Sequence, residues 1–351
     1  MTTIYIRTLK RAEHTVFCVQ DGQKNYFDFQ FNRRIPYSSG QQVKRSVLDK
    51  LSAVINEQPA PTTFLFDVNK NGELKEGEVF ATCDPSYPDQ LLGGWMKAAK
   101  GGNEKTIKRR SPLSISAMRA LHPLLAGVYS ENISFDRSDR SNNRVIVRNE
   151  DGQPLTTEDI EELLMGKDRS LSRKWIPDNR RAGGLFVMDI AIDLRRLFSV
   201  TLNQFEPEIS VETESHLRET GWVESENVFG RCLVAPSQVR ERLIPALAEA
   251  IIEWSITSNQ ARTFSLMETL AVTISDNANK IAASIRAKLS EEEENKAYPI
   301  VEEELDGVFT YVTIAADGYI RTKSESFDAL DRAKQKLIDL MTAFNYEGQL
   351  Q

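Results

Sequence analysis

The sequence predicts an α+β fold built on a ferredoxin-like (RRM-like) sheet, the strand–helix–strand–strand–helix–strand order that serves many functions, RNA recognition among them. Three observations predict it. Alternating apolar residues mark strands at the N-terminus and again after Gly184. Two apolar stripes of helical period lie near residues 43–55 and 239–254. Between the halves, from Pro59 to Gly184, the periodicity is broken, as in an inserted region.

The elements follow in order. Ile4 to Leu9 and Val16 to Phe31 alternate as strands, the second turning at Asp21-Gly22. Val43, Val47, Leu48, Leu51, Val54 and Ile55 form one helical stripe, with Ser39 as its N-cap and Lys44 and Arg45 on its open side. A Ser-Ser-Gly entry followed by Lys and Arg suits phosphate, because the free N–H groups of a helix start add to the side-chain charge. "DVNKNGELKEGE" fits a twelve-position calcium loop, with Asp67, Asn69, Asn71, Gly72 and Glu78 at positions 1, 3, 5, 6 and 12. Its flanks, "PAPTTFLF" and "VFATCDPSYP", hold no helix, so a β-hairpin turning at Asn71-Gly72 is expected, and a calcium-binding module over 67–78 is the alternative of another class. Helices are expected from Ser114 to Leu125 and Thr157 to Met165, then a loop to Gly183-Gly184. "GLFVMDIAIDL" and "NVFGRCLVAP" read as strands, and Val239, Leu243, Leu247, Ile251 and Trp254 as a long helix with Ser237 near its cap. The tail holds "SEEEENKAYPIVEEEL", which reads as a solvated linker, a strand from Phe309 to Ile314, and a helix with Phe327, Leu330, Leu337, Leu340, Met341 and Phe344 on one face.

The 351 residues carry a formal charge of −7, which argues against a nucleic-acid partner until it is divided along the chain. Residues 1–200 hold 30 Lys and Arg against 25 Asp and Glu, whereas residues 201–351 hold 14 against 26. The first half is the basic half. Its sharpest clusters are "EKTIKRR", with Lys105, Lys108, Arg109 and Arg110, and "KDRSLSRKWIPDNRRAGG", with Lys167, Arg169, Arg173, Lys174, Arg180 and Arg181. Both lie in stretches rich in Gly, Ser, Asn and Pro, where bases could follow a phosphate chain, and Trp175 offers a stacking face.

No apolar run approaches the roughly 18 residues of a membrane span, and "MTTIYIRTLKR" has no hydrophobic signal core, so a cytoplasmic protein is expected. Cys18, Cys83 and Cys232 are too scattered for a metal knuckle and read as buried thiols. There is no GxxxxGK[ST] loop or HExxH pair, and His14, His122 and His216 have no neighbouring nucleophile. Asp189 and Asp193 read as the polar alternation opposite an apolar strand face. Neither an active site nor a metal or cofactor is expected.

"IPYSSGQQVKRSVLDKL", "DQLLGGWM", "KRRSPLSISAMRAL", "GGLFVMDIAIDL" and "SNQARTFSL", in this order over roughly residues 2–275, resemble the backbone subunit of Cascade-type CRISPR effector complexes, the Cas-seven family of the RAMP superfamily in its DevR-like branch. The resemblance implies a hand-shaped subunit that polymerises along a guide RNA, with a ferredoxin-like palm, an inserted helical and loop region and a flexible thumb. The implied division is a palm over 1–58 and 185–290, an inserted region over 59–166, a thumb loop over 167–184, and a C-terminal region over 291–351. It makes Ser39, Gly40, Lys44, Arg45, Asn259, Gln260 and Arg262 guide-RNA contacts. It assigns Lys108, Arg109, Arg110, Arg173, Lys174, Arg180 and Arg181 to the guide or a target DNA strand. Further copies of the chain and other Cascade subunits become partners. Related subunits that cut RNA place an acid in the loop before the first helix. "FNRRIPYSSGQQ" has none and only Asp28 lies upstream, so a non-catalytic scaffold is expected, with guide-directed RNA cleavage as the alternative.

Overall fold

The structure is a computed structural model of the full chain. It describes all residues except 18–21, 100–104, 141, 257–263, 294 and 351, and their side chains except those of 131–133 and 176–179. Cys18 and the segment holding Asn259, Gln260 and Arg262 therefore lie outside the described residues.

The chain opens with β1 (Thr3–Thr15), β2 (Asn25–Asp28), β3 (Arg33–Ser38) and α1 (Gly40–Ile55), and α1 is capped by the Ser39 hydroxyl as its sequence predicts. The hairpin of β4 (Thr63–Val68) and β5 (Leu74–Phe80) follows, then α2 (Pro88–Gly93) and four short strands, β6 (Trp95–Lys97), β7 (Ile107–Arg109), β8 (Leu113–Ile115) and β9 (Met118–Ala120). A long ribbon is made by β10 (Ala126–Asp136) and β11 (Arg173–Asp193), with α3 (Thr157–Leu164) between them. Beyond it lie α4 (Leu194–Leu197), β12 (Ser199–Thr201), α5 (Val211–Glu219), β13 (Val223–Asn227), β14 (Gly230–Val234), α6 (Ser237–Glu253) and β15 (Thr269–Ser275). The chain closes with α7 (Ala278–Ser284), β16 (Ile285–Leu289), β17 (Ala297–Val301), β18 (Phe309–Thr313), a short 3₁₀ turn, β19 (Glu325–Ser326) and α8 (Ala329–Thr342).

The main sheet runs β19-β18-β15-β1-β11-β9-β3-β2, with β8 and β10 also paired to β11. Its centre, β15-β1-β11-β8, is antiparallel throughout, and α1 and α6 occupy the connections before β8 and after β11, so the strand–helix–strand–strand–helix–strand order is present. Ile4 and Ile6 of β1 and Met188, Ile190 and Ile192 of β11 point to one face, where Val43, Val47 and Leu51 of α1, Leu243, Leu247 and Ile251 of α6, and Leu337 and Met341 of α8 complete the core. A smaller core on the other side joins Leu9, Leu185, Leu270, Ile285 and Val312.

Four expectations are corrected. Residues 114–125 form no helix. The turn between β8 and β9 is instead fixed by Ser116, whose hydroxyl accepts the Asp189 amide at 2.8 Å and bonds the Ala117 carbonyl, so the edge of β11 recruits this segment. The thumb loop of 167–184 is largely strand, because β11 runs unbroken from Arg173 through Gly184; there φ is +126° and an added Cβ would lie 2.3 Å from the Leu125 oxygen. Residues 230–234 belong to a separate three-stranded sheet, β12-β14-β13, and not to the main one. Glu291 to Glu293 of the first Glu run lie between the paired strands β16 and β17, where Glu291 pairs with Lys288 and Glu293 with Lys296, so like charges are offset locally.

Candidate nucleic-acid interface

Two of the quoted motifs meet at the start of α1. β3 pairs with β9 through Tyr37↔Arg119 and Ser38↔Met118, and Gly40 packs so closely on the β8–β9 turn that an added Cβ would lie 2.8 Å from the Ile115 oxygen. Glycine is required by that contact. The Ser39 hydroxyl accepts the Gln42 amide at 3.3 Å, which leaves the earliest N–H groups of the helix without intrahelical acceptors.

The two bases of the first turns divide. Arg45 is exposed and, among the described residues, is held only by Asp49 at 3.0 Å, one turn on. Lys44 does not face the open side expected of it. Its Nζ donates to the Gly93 carbonyl at 2.6 Å, at the end of α2, and burial, reinforced by nearby Arg109, lowers its pKa to about 8.

Of the "EKTIKRR" bases, Lys105, Lys108 and Arg110 are exposed; Lys105 donates to the Gln204 carbonyl and Lys108 pairs with Glu206. Arg109 is buried. Its guanidinium donates to the carbonyls of Leu91, Arg196 at 2.7 Å and Ser199 at 3.0 Å, lies 5.4 Å from the Trp95 ring centre, and faces Glu208 at 3.8 Å. Burial lowers its pKa to about 10, and raises that of Glu208. Its fork is consumed inside the protein, so this position, assigned to nucleic acid by the resemblance, is a structural one.

The ribbon presents bases and aromatics on both faces. Cross-strand partners share a face, so Trp175 and Ser134 stand with Arg173 and Asp136 on one side, and Phe135 with Lys174 on the other. Trp175 is 62% exposed and Phe135 54%, which leaves both rings free to stack. The Arg173 guanidinium lies 6.0 Å from the Trp175 centre and Arg137 lies 4.4 Å from that of Phe135. Arg173 also holds Asp136, whose pKa is drawn down to about 2 by the Ser138 hydroxyl and amide first and by Arg173 next. Lys174 and Arg180 are exposed, whereas Arg181 is buried at the ribbon root. Arg33 lies over that root, its guanidinium 3.7 Å from where a Gly127 Cβ would stand.

No protein-family model and no curated protein match the sequence. The fold has solved counterparts. A chain of the structure described as "CRISPR RNA-guided surveillance complex, pre-nicking" is similar over 97% of this chain and 100% of its own, with a TM-score of 0.50 and 11% identity. A chain of a second, "CRISPR RNA-guided surveillance complex", covers 95% of this chain and 99% of its own, with a TM-score of 0.42 and 13% identity. At such identities the likeness is one of fold.

The same surface contains residues that the sequence reading passed over. Tyr26, Phe27 and Phe29 are exposed on the β2–β3 hairpin beside Arg33 and Arg34. Asp28, the acid upstream of the helix entry, accepts the Phe31 amide at 2.8 Å and so closes the turn between these strands. Arg119 joins Arg7 on the carboxylate of Asp189. The signal for Arg119 was alternation: Met118 is buried in the core, so its neighbour in a strand faces the opposite way. A helical reading of 114–125 hid it.

Proposed function

We propose that this chain is a guide-RNA-binding backbone subunit of a type I, Cascade-like CRISPR effector complex. It acts as a non-catalytic, cytoplasmic scaffold that polymerises along the guide and presents it to a target DNA strand beside other Cascade subunits. The observation that carries the reading is the likeness of fold over the whole length of a chain from an RNA-guided surveillance complex, since it is independent of the five ordered motifs that point the same way. The basic first half supplies the chemistry: Arg45, Lys108 and Arg110 on the body and Arg173, Lys174 and Arg180 on the ribbon are exposed charges suited to phosphates. Asp28 caps a turn, a role compatible with a scaffold. No described helix is long and apolar enough to cross a membrane.

Co-expression with a CRISPR array and the partner subunits tests the proposal. The chain is expected to purify in a multi-copy particle holding one discrete guide RNA, and to leave complementary RNA intact with magnesium present. A particle without RNA overturns the assignment, and regular cleavage lost on Asp28→Ala establishes guided RNA cleavage instead.

A further inference from the structure

Asp189 stands between Met188 and Ile190, both in the core under α1 and α6, so its carboxylate lies on the opposite face of the sheet. Two guanidiniums share it. Arg7 takes Oδ1 through Nε at 2.6 Å and Oδ2 through Nη2 at 3.1 Å, and Arg119 takes Oδ2 through Nη2 at 2.9 Å. Burial would raise the Asp189 pKa, but the two arginines outweigh it and hold the carboxylate ionised. One anion facing two cations leaves one positive charge in excess.

The two arginines are not equivalent. Arg7 spends its remaining nitrogen on the carbonyls of Ala282 at 2.6 Å and Ile285 at 3.0 Å, and its side chain is 11% exposed. The Arg119 guanidinium has Asp189 as its one hydrogen-bond partner among the described residues, and the side chain is 42% exposed. The excess charge and the unused part of a fork are thus both at Arg119. That residue lies opposite Tyr37, two positions before the Ser39 cap, on the strand whose preceding turn packs against Gly40.

We propose that Arg119 is a further phosphate contact of the bound RNA and that Asp189 is its positioning residue; the inference rests on the reading of this chain as a guide-RNA-binding subunit. A planar guanidinium held on one side by a carboxylate presents its other donors in a fixed direction, which matches the paired oxygens of a phosphodiester. Arg7 anchors Asp189 and does not reach the ligand.

The test uses the full chain and fluorescently labelled single-stranded oligouridylate, titrated across a series of monovalent salt concentrations. Arg119→Ala is expected to weaken binding about tenfold and to reduce the log–log salt slope by roughly 0.7, the loss of one phosphate contact. Arg119→Lys should keep the slope but recover only part of the affinity, since the charge remains and the fork does not. Asp189→Asn should weaken binding without reducing the slope, because the charge at 119 is retained but no longer aimed. A purely structural role would lower the melting temperature and leave the slope alone. If the wild-type chain binds with steep salt dependence and Arg119→Ala matches it in affinity and slope, the inference is overturned while the guide-binding reading stands. If Arg119→Lys binds like wild type, the fork has no role, and if Asp189→Asn does, the positioning role falls. A wild-type chain with no salt-dependent binding overturns both the inference and the reading beneath it.

Discussion

Burial separates Arg109 from Lys105, Lys108 and Arg110, four bases that look alike in sequence. Arg109→Ala leaves three carbonyls without their donor and the buried Glu208 with Arg196 as its remaining cation, and is expected to cost about 3 kcal/mol in urea unfolding. Arg109→Lys should recover little, because an ammonium cannot span all three carbonyls. Lys10 makes a similar point from the core: its Nζ donates to Thr269 at 2.8 Å and to the Trp254 carbonyl at 3.3 Å, and burial lowers its pKa to about 7. The folded state then releases this proton while the unfolded chain still holds it. Lys10 therefore opposes folding below about pH 7, and its penalty is relieved as pH rises toward its ordinary value of about 10.4. Unfolding measured across that window should show wild type gaining on Lys10→Met by about 1.4 kcal/mol per pH unit. A difference independent of pH would mean that Lys10 titrates normally.

Among the elements, the β4–β5 hairpin is held loosely to the body, and every one of its residues except Phe80 is exposed. Its turn is filled from within: the Asn69 side-chain oxygen accepts the amides of Asn71 and Glu73 at 2.9 Å, and Gly72 takes φ of +79°. Asp67 lies opposite Lys75 in the ladder. Strands at both ends cannot bring Glu78 around to the first positions of the loop as two helices do. Calorimetric titration with calcium is expected to give no saturable micromolar binding, and a saturating isotherm lost on Glu78→Gln would restore the calcium reading. This hairpin, α1 and α6 were legible because alternation, a cap and a stripe each act within a few neighbouring residues. β8 and β9 were not, since Ser116 and Met118 take their conformation from β11, some seventy residues away in the chain. Lys44 and Arg109 failed for the same reason: the helix under Lys44 and the charge of the cluster around Arg109 were readable, but the carbonyls of Gly93 and Leu91 that absorb the two side chains come from α2.

At the scale of the molecule, the unequal division of charge finds a spatial form in the ribbon. β10 and β11 carry Arg173, Lys174 and Arg180 away from the core on strands whose inner ends are locked into the main sheet, while α3, between the two strands, buries no residue. Such a part contributes little to folding, so its exposed bases are free to serve a partner. Replacing Arg173, Lys174 and Arg180 together by Ala should leave the unfolding free energy of the isolated chain within about 0.5 kcal/mol per substitution, as for ordinary surface changes. The consequence should appear only in the assembly. With an acidic chain of pI about 5.3, general attraction to polyanions is weak, and retention of nucleic acid depends on where the few exposed bases stand. Particles purified with their guide and weighed in solution are expected to be shorter, or to capture target DNA more weakly, in the triple variant than in wild type, with the deficit growing as salt is raised. Full-length particles with undiminished target capture at every salt concentration would place the ribbon outside the nucleic-acid interface and leave the guide to the bases around α1.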